Sequence, residues 1–441
     1  MNNWEKALPW EVAANGLCVR CGACSGSCPK SLIVLDERNF PKLNKEAGEC
    51  IRCGVCMTAC PGEELDLCGL SVSLLDRASS SSEILGIYRD AIIAYSNNDE
   101  IRHYSASGGV VTQLLATLLE NGTIQRALVA GMSRDEPWKG EPLLASTTEE
   151  VIGCAQSKYT IVPQMRLLGA LLKWKTETAV VGLPCHIHAL RKFQSAHPGK
   201  LDHVKFVIGL FCHMALEIEA TEMLLRKARI SKSDLDTIEY RGGDWPGKIL
   251  AKLKDGSVKP LHAFDFKDGA INYLKYLYYP SRCLLCIDFS AELADIAVGD
   301  PWLRGKDGRY IYERGHSLVL VRTEKGDQLI KMASALGDLR VEAAPTHLFP
   351  SRFRDMYVHK KMGAGIRIES LKRKGLPYPH YQADLPVGRA GERLVETLHG
   401  LARILGRSES GRKLGSMIAF SWFGRILTVV RRWRKELMAR I

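Results

Sequence analysis

Residues 18–29 read CVRCGACSGSCP and residues 50–61 read CIRCGVCMTACP, two copies of one cysteine run with identical spacing. In the pattern C-x2-C-x2-C-x3-C-P, three thiolates hold one iron–sulfur cubane and the fourth crosses to the other. That crossing assigns Cys18, Cys21, Cys24 and Cys60 to one [4Fe–4S] cluster, and Cys50, Cys53, Cys56 and Cys28 to a second. Zinc has no use for this interleaved set, because a tetrahedral site takes four ligands, commonly as two separated pairs. A disulfide framework belongs to short secreted chains and does not suit this one. Gly22 and Gly54 let the backbone pass close to the sulfurs, and Pro29 and Pro61 stop each loop. Such chemistry moves electrons.

Two further constellations follow. SASGGVVTQLL, residues 105–115, reads as a loop entering a helix over 110–119. Ser105 and Ser107 are its expected caps, while Gly108 and Gly109 leave bare amides that suit a phosphate or a flavin edge. The same pattern also serves an ordinary capped helix. Nearby, QSKYTIVPQ (156–164) sets Lys158 and Tyr159 before a strand-like run, where Lys158 could lie over a flavin's pyrimidine end or face solvent. The other constellation is scattered cysteine. Cys185 in GLPCHIHALR and Cys212 in GLFCHM sit at expected strand ends. Cys283 and Cys286 form a CxxC in RCLLCIDFSAELADIAVGDPW, ahead of an expected helix carrying Asp288, Glu292 and Asp295. Strand ends of an α/β sheet share one edge, where ligands gather. Four thiolates there suffice for a third cubane; the alternatives are two buried cysteines acting as small hydrophobes and an isolated redox CxxC. His186, His188 and His213 flank these cysteines as proton shuttles, as donors to cluster sulfur, or as plain polar residues. Cys68 and Cys154 read as structural.

The elements that must position these residues alternate. Apolar runs at 126–132 (RALVAGM), 178–183 (TAVVGL) and 204–211 (VKFVIGLF) read as strands, each followed by an amphipathic stretch. That is the signature of an α/β domain. Residues 1–76 form an α+β ferredoxin-like module with a pseudo-repeat whose second half is 44–67, and ASSSSE (78–83) links it to residues 84–348. From about 349 to 441 the chain turns basic and loses strand signals. Ile418, Trp422, Phe423, Ile426, Leu427, Val430 and Trp433 share a helical face, with Arg425, Arg431, Arg432, Arg434 and Lys435 close by. Such a helix docks on a partner, lies on a membrane surface, or packs on its own domain.

Composition bounds the rest. The 441 residues carry a net charge of +12, with 46% hydrophobic and 25% charged residues, as expected of a globular chain of two or three domains. No nucleic-acid-reading motif accompanies the charge, so the expected partners are an acidic electron-transfer protein, a redox-complex subunit or a phosphorylated cofactor. Fourteen cysteines without an apolar N-terminal leader point to a reducing cytoplasm, peripheral to the membrane if the tail binds there. No apolar run reaches the roughly 18 residues of a spanning helix.

SASGGVVT, SKYT, GLPCHIHALRK, GLFCH, YRGGDWPGK and CLLCIDFSAELADIAVGDPW occur in the order seen in one family. Over residues 15–345 the chain resembles the coenzyme F420 hydrogenase/dehydrogenase beta subunits, F420 being a deazaflavin. The resemblance implies an α/β flavoprotein domain with noncovalent FAD, its flavin-binding part at 84–175, and a [4Fe–4S] cluster in the part at 176–348. It places the cluster ligands on Cys185, Cys212, Cys283 and Cys286. It places the flavin contacts on Ser107, Gly108, Gly109, Val110, Lys158 and Tyr159. The implied activity passes electrons between reduced F420, FAD and the clusters. Relatives that reduce chlorophyll-type rings with ferredoxin electrons supply the alternative, a reductase of a dedicated organic substrate without F420. Nickel-site cysteine pairs are absent from the sequence, so hydrogen splitting is not expected of this chain alone.

Overall fold

The computed structural model describes residues 7–429 except 263–273, 275, 306–308, 387, 423, 425, 427 and 428. The two cysteine runs fold alike. Each winds into a short helix, Ala23–Ser27 and Val55–Thr58, entered through Gly22 and Gly54 in left-handed conformation. Arg20 and Arg52, two residues earlier in each run, are left-handed as well, with φ of 58° and 50°. An antiparallel ribbon, Ile33–Leu35 with Pro41–Leu43, separates the halves. The sequence repeat is therefore a backbone repeat.

An eight-stranded mixed sheet forms the second body. Its spatial order is Leu339–Ala343, Asp90–Ser96, Ser317–Val321, Ile296–Gly299, Val204–Leu210, Thr178–Gly182, Arg126–Met132, Gly140–Ala145. The four strands from Ile296–Gly299 to Arg126–Met132 run parallel, and their flanking neighbours antiparallel. Both Thr178–Gly182 and Ser317–Val321 are buried along their whole length, as strands covered on two faces must be. On one face Leu114, Leu115 and Leu118 of helix Val110–Glu120 pack with Leu329 and Ile330 of helix Glu324–Ala335. On the other, Ile187, Leu190 and Phe193 of helix Pro184–Ala196 join Cys21, Ala23, Ala59 and Leu65 from the cysteine-run module. That module is one layer of the fold.

Polar contacts fix how it docks. The Arg20 guanidinium grips both Glu217 carboxylate oxygens, at 2.8 and 2.6 Å. The Met165 amide donates to the Cys21 carbonyl at 2.8 Å. Arg282, immediately before Cys283 in the CxxC loop, donates to the Leu17 and Gly62 carbonyls at 2.9 and 3.0 Å.

Several elements differ from the sequence expectation. Arg126–Met132 turns back into the antiparallel strand Gly140–Ala145 instead of entering a helix. No strand follows Tyr159 before the turn at Gln164–Leu167. The segment carrying Asp288, Glu292 and Asp295 is a series of turns, because the Asp288 carboxylate captures the Ser290 and Glu292 amides, each at 2.9 Å, that a helix would need. Residues from 349 onward are not a separate tail. Phe349, Phe353 and Ala364 lie in the main core, and His380–Tyr381 pairs in parallel with Glu64–Leu65 of the cysteine-run module. Helix Glu409–Phe420 touches Tyr278 through the Ser416 hydroxyl at 3.3 Å, yet leaves Leu414 and Met417 exposed, and Trp422 beyond it is 77% exposed. Phe423, Leu427, Val430, Trp433, Arg425, Arg431, Arg432, Arg434 and Lys435 lie outside the described residues. Among the described residues no helix is long and apolar enough to cross a membrane.

The docking generates a prediction. A Cβ on Gly26 would overlap the Met165 carbonyl oxygen and stand 2.7 Å from that of Arg166. Gly26→Leu should therefore destabilise the chain by about 1–3 kcal/mol, read as a lower urea midpoint. Gly153→Ala, whose Cβ meets nothing within 4 Å and which favours the helix it ends, should not lower the midpoint.

Candidate iron–sulfur and cofactor site

All fourteen cysteines are free, and twelve of them fall into three groups that act on one another electrostatically. Cys21 feels Cys60, Cys24 and Cys18. Cys56 feels Cys28, Cys53 and Cys50. Cys185 feels Cys212, Cys286 and Cys283. Burial pushes Cys18 up to about 11 and Cys56 and Cys212 up to about 12. Buried thiols that repel one another when ionised are costly to charge unless a cation compensates, and an all-sulfur donor set suits iron. Among the described residues no three His, Cys, Asp or Glu side chains are arranged to hold a single metal ion. A cubane asks for a different arrangement, with its four thiolates spread around four irons.

The inner group adjoins each of the other two. Cys53 is exposed, and a surface cavity of about 240 Å³ is lined by Cys28, Cys50, Cys53 and Cys56. Cys56 also feels Cys60 of the inner group, and Cys185 feels Cys21. Cys212 belongs to the wall of a much larger cavity.

Local structure explains the innermost group. Cys185 opens the helix after strand Thr178–Gly182, and Cys212 follows the adjacent parallel strand Val204–Leu210, its amide donating to the Phe289 carbonyl at 2.9 Å. The 3-10 turn Ser281–Leu285 carries Cys283 and leads to Cys286. Beside it, Asp288 bonds His188 at 2.9 Å. Burial alone would raise the Asp288 carboxyl, but the His188 contact and the Glu292 amide hold it below the usual carboxylate range. His186 accepts the Leu183 amide at 3.2 Å, and the His213 ring packs 4.8 Å from that of His359.

The larger cavity, about 1920 Å³, exceeds the roughly 300–1,000 Å³ of ordinary small-molecule sites. Ser107, Gly109, Val110, Lys158 and Tyr159 line it; Gly108 does not. The expected serine caps are absent. Gly109, at φ 75°, is the N-cap, while the Ser107 hydroxyl donates to the His316 carbonyl. Gly108 is bare for packing, since a Cβ there would stand 2.5 Å from the Ala94 carbonyl oxygen. Lys158 donates to the Cys154, Ala155 and Gln156 carbonyls at 2.6, 2.6 and 3.2 Å, although burial lowers its pKa to about 8. Burial pushes Tyr159 up to about 12, and its ring meets Tyr240 edge-on at 5.7 Å. Ser105 Oγ and Gln164 Oε1, both on lining residues, are buried without a hydrogen-bond partner among the described residues. They suit a polar ligand.

Sequence reasoning missed part of the cavity wall. Trp302, Tyr310 and Arg352 line the cavity, and Trp302 stacks on Trp245 with centroids 5.1 Å apart. Arg241 grips Asp300 at 2.7 and 3.3 Å where strand Ile296–Gly299 ends. YRGGDWPGK and GDPW held Arg241, Trp245, Asp300 and Trp302 in view, but Tyr310 and Arg352 sit in no motif.

Residues 91–169 and 175–347 match the N-terminal and C-terminal models of the coenzyme F420 hydrogenase/dehydrogenase beta subunit, and residues 17–63 match a 4Fe-4S dicluster domain. The coenzyme F420 hydrogenase subunit beta of Methanococcus voltae is 30% identical over 57% of this chain and 83% of its own length. The chain belongs to the coenzyme F420 hydrogenase/dehydrogenase beta-subunit family. As such it is an oxidoreductase with iron–sulfur electron transfer. The coenzyme F420-dependent sulfite reductase of Methanocaldococcus jannaschii is 32% identical over 72% of this chain, which spans only 46% of that relative. A chain of the F420-reducing [NiFe] hydrogenase complex from Methanosarcina barkeri shares the fold, with a TM-score of 0.53 over 68% of this chain and 97% of that one at 24% identity.

If each of the three cysteine groups holds a cubane, iron content is the direct test. Anaerobically reconstituted protein should hold about twelve irons, and the double change Cys283→Ser, Cys286→Ser about eight. Eight in both would remove the third cluster.

Proposed function

We propose that this beta-subunit relative passes electrons between reduced coenzyme F420, FAD in the large cavity and three [4Fe–4S] clusters. The clusters would be held by Cys18, Cys21, Cys24 and Cys60, by Cys28, Cys50, Cys53 and Cys56, and by Cys185, Cys212, Cys283 and Cys286. The observation that carries this reading is continuity: Cys212 in the cavity wall, Cys185 beside Cys21, Cys60 beside Cys56, and Cys53 at the surface. FAD supplies the exchange between a two-electron hydride and single electrons. Ser107, Gly109 and Val110 at the helix start would hold it, with Lys158 and Tyr159 alongside. Val129, Val181 and Leu210, which also line the cavity, would keep water from it.

The outer cysteines are the natural exit to a protein partner, and the charge of +12 favours an acidic one. The names of the relatives, several of them hydrogenase subunits, support membership in a redox complex. Exposed Leu414, Met417 and Trp422 beside Arg412 and Lys413 support a docking role for the C-terminal helix, on that complex or peripherally on a membrane.

Reduced F420 mixed anaerobically with the reconstituted protein and a viologen acceptor should be oxidised. Inertness with FAD bound would favour the alternative, reduction of a dedicated organic substrate. Lys158→Met should lose most of its FAD at unchanged iron content; equal FAD in both proteins would place the flavin elsewhere.

A further inference from the structure

Lys360 lies in the single-turn π-helix Val358–Met362, inserted between helices Phe349–Tyr357 and Gly363–Arg373. Insertions of this kind are frequent at functional sites. Its side chain is 2% exposed, and Nζ donates to the Cys283 carbonyl at 3.2 Å. Lys361, the next residue, pairs with Glu292 at 2.7 Å, whereas no carboxylate among the described residues forms an ion pair with Lys360. One cation facing it, Arg367, is already paired with Glu396 at 2.6 Å. Burying an ammonium without a counter-charge is strongly disfavoured. Among the groups facing Lys360 are the sulfurs of Cys286, Cys212 and Cys283, which carry negative charge only as cluster thiolates.

We propose that Lys360 is a positioning residue for the third cluster, a fixed buried positive charge that raises the cluster's reduction potential. Adding an electron makes a thiolate-ligated cluster more negative, and a nearby cation in a low-dielectric interior stabilises that form over the oxidised one. The third cluster then holds electrons more readily than the same sulfurs would alone. Lys360 falls outside the matched family segments, which end at residue 347. The inference rests on the cluster assignment made above.

The test is an EPR-monitored redox titration of the full chain as wild type, Lys360→Met, Lys360→Arg and Lys361→Met. Lys360→Met should lower the third cluster's midpoint enough to change its oxidised-to-reduced ratio at least tenfold, about 59 mV for one electron. Lys360→Arg should stay near wild type, and Lys361→Met should shift less than Lys360→Met. If Lys360→Met does not retain the cluster, Lys360→Gln keeps a donor for the Cys283 carbonyl and is read in the same way. An unchanged midpoint in the neutral variant, or an equal shift in Lys360→Arg, overturns the proposal. A wild-type iron content of eight would instead remove the cluster on which it rests.

Discussion

Electrons cross protein only over short gaps, so the feature on which everything else depends is the docking of the cysteine-run module against the sheet. Arg20 with Glu217, and the Met165 amide with the Cys21 carbonyl, bring the inner cysteine group up to the start of the helix that carries Cys185. Arg20 and its partner are largely buried, where losing one member of a charge pair costs far more than at the surface. The contact is therefore a fixed joint, and the module shares the core of the sheet domain through Cys21, Ala23 and Leu65.

The sheet provides the other half of the arrangement. Adjacent parallel strands bring Cys185, Cys212 and Asp300 to their carboxyl ends, the edge at which open α/β sheets gather ligands. The same edge opens into the large cavity, so one topological feature serves both the sulfurs and the space beside them. Segments after residue 348 close the site from the far side, with Lys360 against Cys283, Arg367 on the Leu284 carbonyl and Tyr381 on the Leu285 carbonyl.

Much of this was legible in the sequence. The crossed cysteine assignment comes from the ferredoxin-type spacing, and in the fold Cys21 lies near Cys18, Cys24 and Cys60, and Cys56 near Cys28, Cys50 and Cys53. The strands at 126–132, 178–182 and 204–210 stand out as short, mostly apolar runs, and 178–182 is buried along its whole length. What was hidden was set by tertiary contacts. Gly108 looks like a cofactor glycine yet is bare because Ala94 approaches it, and Ser107 spends its hydroxyl on His316. Lys360 and Lys361 looked like part of a basic tail, since nothing local distinguishes a buried lysine from a solvated one. Asp288 broke an expected helix through hydrogen bonds that no periodicity encodes.

The proposed electron path runs through three cysteine groups from the cavity to the surface. EPR of the fully reduced protein tests it directly, because neighbouring paramagnetic clusters couple magnetically. On that path the inner cluster's signal should be split or broadened by both the outer cluster and the third, and Cys283→Ser with Cys286→Ser should remove one of the two couplings. A spectrum that is the plain sum of isolated clusters, unchanged by that double substitution, would contradict it.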